Sequence, residues 1–339
     1  MKRGLTLGKY APLHRGHQLV IETGLSEMDE MILMIYDAPE NTTIPLAVRS
    51  GWIRALYPKV RVIEAWDGPM KTGYTAELMQ AHERYVINKL GTEAVTHFYS
   101  SEPYGEHMSR ALGAVDRQVD AARTRIPISA TDVRADPFAY RHYLHPIVYR
   151  DLIVNAVFLG APCSGKSTIA ERLARDFKTQ WMPEYGREYW EMHQVNRRLS
   201  PQQLFEIAQG HIEREDALLE KANRYLFTDT NAITTATFAR YYHGRVETRL
   251  SALAERAVRR YDLVFVCDID FPYDDTWDRS GEVNRTAFQG QVISDLNQLK
   301  VPFIMLSGPL EKRVSQVSNV IRHFQKYMNV LDVLERIVR

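Results

Sequence analysis

The chain has 339 residues, 45% hydrophobic and 25% charged, which is room for two domains and too apolar a balance for a disordered chain. Its 43 Lys and Arg against 42 Asp and Glu leave a formal net charge of +1, which argues against a nucleic-acid-coating protein. Two cysteines, Cys163 and Cys267, exclude a disulfide framework or a Cys-rich zinc site.

Residues 4–25 read as an apolar strand, a glycine-containing turn and an amphipathic helix, and residues 152–177 follow the same order. Further strand-like runs lie at 31–36, 60–63, 97–100, 180–182, 225–229, 263–268 and 301–306, with helical patterns between them. Ser200 before Pro201 reads as an N-cap with proline at the first helical position, opening a long helix towards Ala222. Alternating strands and helices predict an α/β protein of two domains with mainly parallel sheets. The segment 141–150, with Pro146 inside it, is the boundary candidate, giving domains 1–148 and 149–339. No apolar run approaches ~18 residues, and the N-terminus lacks a signal peptide's apolar core. A cytoplasmic protein without a membrane or nucleic-acid partner is expected.

In the first domain, His14-Arg15-Gly16-His17 sits where the strand gives way to the helix. Imidazoles and backbone amides at a helix N-terminus suit a polyphosphate, because both present N–H donors to anionic oxygens. Gly16 lets the backbone approach the phosphates. The stretch Ile128-Ser129-Ala130-Thr131-Asp132-Val133-Arg134 follows a strand-like stretch and reads as a helix start capped by Ser129, a second phosphate grip. Together the two fragments resemble the nucleotidyltransferase superfamily with an His-x-Gly-His signature and an Ile-Ser-x-Thr-x-x-Arg partner motif. The resemblance implies a Rossmann-like fold, with His14 and His17 holding the triphosphate of ATP and stabilising charge at the α-phosphate. It implies Ser129, Thr131 and Arg134 on the departing pyrophosphate, with Lys9 as an additional phosphate contact.

In the second domain, Gly160-Ala161-Pro162-Cys163-Ser164-Gly165-Lys166-Ser167-Thr168 completes the P-loop pattern between a strand and a helix. Its amides are expected to cradle phosphates, Lys166 to reach the β- and γ-oxygens, and Ser167 to ligate Mg²⁺. Glu184 in Glu184-Tyr185-Gly186-Arg187-Glu188, and Asp229 at the end of 225–229, supply carboxylates at strand ends. They fit one general base and one acid near magnesium, an arrangement of small-molecule kinases. The polar segment 272–285, with Asp274, Asp275, Trp277, Asp278, Arg279 and Arg285, reads either as a lid bringing Arg279 and Arg285 onto phosphate or as a solvated loop.

The order of these parts resembles the NadR family, bifunctional nicotinamide-mononucleotide adenylyltransferases and ribosylnicotinamide kinases. The likeness extends to Ser100-Ser101-Glu102-Pro103, Asp120 with Arg123, Tyr241-Tyr242-x-Gly244, and Asp274, Asp275, Arg279 and Ser280. It implies phosphorylation of ribosylnicotinamide in the second domain and adenylyl transfer from ATP in the first, giving NAD. Glu184 is the expected base and Asp229 the expected magnesium neighbour, with the reverse division open; Arg187 is placed on substrate or phosphate. Trp52, Trp66 and Tyr74 are candidates for stacking on the pyridine ring, with core packing the competing reading.

Some family members begin with a helix-turn-helix repressor domain. Here the first catalytic strand starts within a few residues of Met1, so repression is not expected. An ATP sulfurylase joined to adenylylsulfate kinase, a flavin-adenine-dinucleotide synthetase and a nucleotide sensor with weak turnover are the competing readings. The first lacks its Gln-x-Arg-Asn stretch here, and the second has no P-loop. Self-association is left open, as is preference for nicotinamide or nicotinic-acid forms.

Overall fold

The computed structural model describes residues 1–69, 73, 75–102, 104–195, 199–270 and 285–328. They fall into two compact units, Met1–Tyr149 with the described residues from Lys326, and Arg150–Gln325.

Unit 1 alternates strand and helix: β1 (Arg3–Gly8), α1 (Arg15–Glu27), β2 (Glu30–Tyr36), α2 (Leu46–Leu56), β3 (Arg61–Ala65), α3 (Ala76–Leu90), β4 (His97–Ser100), α4 (Gly105–Leu112), β5 (Val115–Gln118) and α5 (Ala130–Ala135). A short α6 (Pro146–Leu152) follows. The strands form one parallel sheet in the order β3-β2-β1-β4-β5. β1 is central because Leu5 and Leu7 enter a core with Ile32, Met34 and Phe98, and only a strand covered by helices can bury so much. The chain winds outwards from β1 through β2 to β3 and then returns to β4. That reversal opens a crevice at the carboxyl ends of β1 and β4.

Unit 2 contains β6 (Val154–Leu159), α7 (Lys166–Asp176), β7 (Gln180–Met182), α8 (Tyr185–His193), α9 (Pro201–Leu219), β8 (Tyr225–Asp229), α10 (Ala232–His243), α11 (Thr248–Ala257), β9 (Leu263–Cys267), α12 (Arg285–Gln298), β10 (Ile304–Leu306) and α13 (Leu310–His323). Its sheet is also parallel, in the order β10-β9-β6-β8-β7. Every residue of β6 is buried, and successive side chains feed opposite faces: Val157 and Leu159 join one core, Ala156 and Phe158 the other. Ser200 caps α9 with its hydroxyl on the Gln203 amide, as its sequence predicts, and the helix stops at Leu219.

The differences from the sequence reading are local. β5 (Val-Asp-Arg-Gln) is an edge strand with no apolar run to announce it. No strand directly precedes Ile128; β5 ends at Gln118 and turns fill the interval. The run 301–306 becomes a strand only from Ile304. No described helix is long and apolar enough to cross a membrane.

Candidate functional sites

In unit 1 the chain leaves β1 at Gly8, loops over the sheet, and enters α1 with His14 as its N-cap. His14 Nδ1 accepts from the Gly16 amide at 3.1 Å, and His17 Nδ1 faces the His14 amide at 3.4 Å. Both Nδ1 atoms are therefore acceptors, which leaves each Nε2 to carry the ring proton. The rings stack with centroids 3.8 Å apart. Burial pulls the His14 pKa down to about 4, with the Arg123 and Arg134 cations adding to the shift. Burial and the His14 ring hold His17 well below the ordinary imidazole range. Two neutral imidazoles thus stand side by side, each with an Nε2–H to donate.

The second motif meets the first through Arg134. Its Nη1 donates to the Ala11 carbonyl at 2.7 Å and its Nη2 to Thr131 Oγ1 at 3.1 Å. Ser129 caps α5: its Oγ accepts from the Asp132 amide at 3.1 Å and donates to the Asp132 carboxylate at 2.5 Å. Lys9, Gly16, His14, His17, Ser129, Thr131 and Arg134 all line one cavity of about 600 Å³ at the β1/β4 reversal. The Lys9 ammonium is paired with Glu40 at 2.9 Å.

The stacking candidates part company. Trp52 is 2% exposed, packed in the interior on α2 and absent from the cavity lining, so the structure corrects it from ligand contact to core residue. Trp66 is 56% exposed and donates to Glu64 at 3.0 Å. Tyr74 lies outside the described residues, as do Pro103, Arg279, Ser280 and the rest of the expected lid up to residue 284.

In unit 2 the P-loop joins β6 to α7. Gly160 has φ +133°, and a Cβ there would stand 2.7 Å from the Cys267 carbonyl oxygen, so no other residue fits. Gly165, with φ +84°, is the N-cap of α7. Lys166 is buried, its ammonium donating to the Ala161 carbonyl at 3.0 Å across the loop. Ser167 Oγ donates to Asp229 Oδ2 at 2.5 Å, while Asp229 Oδ1 is buried without a hydrogen-bond partner among the described residues. Burial, then the Glu184 carboxylate, pushes the Asp229 carboxyl up to about 7, against the pull of Lys166 and Ser167. Glu184 is the N-cap of α8, with Arg187 Nη2 3.9 Å from its Oε2. Arg285 Nη2 donates to the Cys163 carbonyl at 3.3 Å, which brings this expected phosphate ligand to the loop. The Ser164 side chain is buried, and Thr168 is exposed on the first turn of α7.

Two residues that sequence reasoning passed over hold this loop in shape. Gln289 Oε1 accepts from the Ala161 amide at 2.7 Å, and its Nε2 donates to the Cys267 carbonyl at 3.0 Å. Arg313, 3% exposed, donates to the carbonyls of Ser164, Gly308 and Asp268 at 2.9, 2.8 and 3.2 Å and pairs with Asp270. Both sit on the apolar faces of their helices, beside Phe288 and Val292 or Val314 and Val317. A polar residue in an apolar helical stripe was the available signal. No group of three or more His, Cys, Asp and Glu among the described residues is arranged to hold a metal ion by itself.

The model of an AAA domain family matches residues 155–313. The chain is 28% identical over 320 residues to the trifunctional NAD biosynthesis/regulator protein NadR of Salmonella typhimurium strain LT2, covering 89% of this chain and 78% of that protein. It is likewise 28% identical over 322 residues to NadR of Escherichia coli K12, with the same coverage. Among solved structures, NadR in complex with NAD and AMP-PNP superposes with a TM-score of 0.56 at 20% identity, covering 97% of this chain and 98% of that one. NadR in complex with NR superposes with a TM-score of 0.57 at 21% identity, covering 95% and 96%. Those two structures show a shared fold over nearly the whole length. The chain is homologous to the NadR proteins.

Proposed function

We propose that this NadR homologue makes NAD in two ATP-dependent steps, one in each unit. The observation that carries the reading is the coexistence, in one chain, of a paired-imidazole cavity at the β1/β4 reversal and an intact P-loop beside a buried aspartate. The family resemblance supplies the substrates, ribosylnicotinamide for the kinase and nicotinamide mononucleotide for the adenylyltransferase. It is supported by relatives named for NAD biosynthesis and by similar structures in complex with NAD and AMP-PNP or with NR.

In unit 2 the 5′-hydroxyl oxygen of ribosylnicotinamide attacks the γ-phosphorus of ATP. An O–Pγ bond forms, the Pγ–O bond to the β-phosphate breaks, and ADP leaves with the electron pair. Glu184, at the mouth of α8 and only partly buried, takes the hydroxyl proton. Lys166, the loop amides, Arg187 and Arg285 supply positive charge to the transferring group. Ser167 Oγ and Asp229 offer an oxygen donor set, with Oδ1 still to be satisfied, and this fits Mg²⁺ held jointly with the triphosphate. When bound, Mg²⁺ would neutralise charge on the β- and γ-oxygens.

In unit 1 a phosphate oxygen of nicotinamide mononucleotide attacks the α-phosphorus of ATP, an O–Pα bond forms, and the Pα–O–Pβ link breaks to release pyrophosphate. No protein nucleophile is required, so positioning and electrostatics carry the step. The Nε2–H groups of His14 and His17 donate to the α-phosphate oxygens. Arg134, Thr131, Ser129 and Lys9 hold the departing pyrophosphate.

Incubation of the purified chain with ribosylnicotinamide, ATP and Mg²⁺ tests the reading: nicotinamide mononucleotide appears first and NAD follows. A chain that forms neither product, and makes no NAD from nicotinamide mononucleotide, has other substrates.

A further inference from the structure

Tyr36, the last residue of β2, lines the cavity of unit 1 and has no part in the chemistry described so far. It is 7% exposed, and its hydroxyl has no hydrogen-bond partner among the described residues. Burial raises its pKa, so the phenol keeps its proton at any pH the enzyme meets. The ring is fixed by what surrounds it. His82 meets it edge-on with centroids 5.8 Å apart, and Tyr85 lies 6.0 Å away. On the remaining flank, a Cβ at Gly68 would fall 2.6 Å from Tyr36 Cδ1, so the glycine is what admits the ring.

The backbone of Tyr36 is held just as firmly. Arg49, 0% exposed on α2, donates from Nη1 to the Tyr36 carbonyl at 2.9 Å and to the Lys9 carbonyl. It also donates from Nε to Ile44 at 2.9 Å and pairs through Nη2 with Asp37 at 3.3 Å. One buried guanidinium therefore ties the phosphate-side loop after β1 to the end of β2. Its planar fork is what lets a single side chain serve several acceptors.

The in-line geometry of phosphoryl transfer says which substrate meets Tyr36. Attacking and leaving oxygens stand on opposite sides of the phosphorus. The chain carrying Ser129, Thr131 and Arg134, the pyrophosphate grip, leaves the sheet at β5, on the β4 side of β1. Tyr36 ends β2 on the other side of β1, so a nucleophile in line with a pyrophosphate held from the β5 side approaches past it. A buried hydroxyl that lines the cavity without a partner among the described residues is satisfied by a polar atom of the incoming molecule.

We propose that Tyr36 is a binding residue for the incoming pyridine mononucleotide, and that Arg49 positions it together with Lys9. The inference rests on the adenylyl-transfer reading of unit 1.

The test is NAD formation from nicotinamide mononucleotide and ATP by the full chain and its Tyr36→Phe and Arg49→Lys variants, with ribosylnicotinamide phosphorylation as a folding control. Tyr36→Phe keeps the ring and removes only the hydroxyl. It should raise the KM for the mononucleotide about tenfold while leaving that for ATP, kcat and the kinase rate unchanged. Arg49→Lys, which keeps the charge and loses the fork, should raise both KM values. If Tyr36→Phe leaves the mononucleotide KM unchanged, raises only that for ATP, or merely lowers kcat in proportion to folded protein, the assignment is overturned. Wild-type protein that forms no NAD sinks the functional reading itself, and this assignment with it.

Discussion

Arg134 donates to the Ala11 carbonyl at 2.7 Å, a bond between residues 123 positions apart in sequence. The second phosphate motif of unit 1 thereby fixes the backbone of the first, so the two act as one device. Arg134→Lys should cost about 10²-fold or more in NAD formation from nicotinamide mononucleotide, because the fork that joins Ala11 and Thr131 is lost along with a charge-stabilising donor. The kinase rate of the same protein should not move. Equal losses in both activities would mean that the substitution had only unfolded the chain.

The two phosphate sites lie on different sheets, so their activities should separate cleanly. Lys166→Ala is expected to abolish formation of nicotinamide mononucleotide while NAD still forms from mononucleotide supplied directly. His17→Ala is expected to do the reverse, and chromatography of the products over time distinguishes the two patterns. A His17→Ala protein that still makes NAD at the wild-type rate would remove the paired imidazoles from the chemistry.

Asp229 gives a pH dependence of definite sign. Its carboxyl is raised from an ordinary aspartate value to about 7 by burial and by Glu184. The native state therefore binds a proton that the unfolded chain releases, and the contribution to stability is fully present below the unfolded pKa and lost as pH rises through about 7. Asp229→Asn should then raise the melting temperature of apo protein at pH 8 by about 2–4 °C for each kcal/mol relieved, with much less effect at pH 5. The kinase activity of that variant should be lost at both pH values. Calorimetry showing a larger gain at pH 5 than at pH 8 would contradict the assigned shift.

The imidazoles predict the opposite trend for unit 1. His14, held down to about 4, and His17, also held well below the ordinary imidazole range, are neutral when buried but protonate in the unfolded chain near 6.5. Their stability contribution is present above 6.5 and is lost as pH falls towards 4. Replacing His14 by Gln should flatten the acid limb of unit 1's unfolding profile.

Gln289 is the clearest case of a support without chemistry. Gln289→Ala leaves the Ala161 amide and the Cys267 carbonyl unpaired in the interior, at a cost of about 1–3 kcal/mol. The P-loop should then bind ATP more weakly, seen as a raised KM for ATP in the kinase assay with NAD formation unaffected.

These residues also show where the sequence was legible. The His-x-Gly-His turn and the P-loop are local, since each needs only a strand, a glycine turn and a helix start that a few consecutive residues encode. The parallel sheets followed from apolar runs such as 154–159, buried on both faces. What stayed hidden was the long-range placement of single polar side chains. Arg49, Gln289 and Arg313 each sit on an apolar helix face, and nothing local says whether such a residue turns inwards to a carbonyl or outwards to water. β5 was missed because an edge strand of four residues with two charges carries no apolar signal. Trp52 misled for the opposite reason: a large aromatic suits a core and a ring-stacking site equally well, and only its 2% exposure decides between them.

The most direct test of the central claim is a single time course of purified wild-type protein with ribosylnicotinamide, ATP and Mg²⁺. The account predicts that nicotinamide mononucleotide rises first and is then consumed as NAD and pyrophosphate accumulate in equal amounts. Absence of both products, with no NAD from mononucleotide supplied directly, would contradict it.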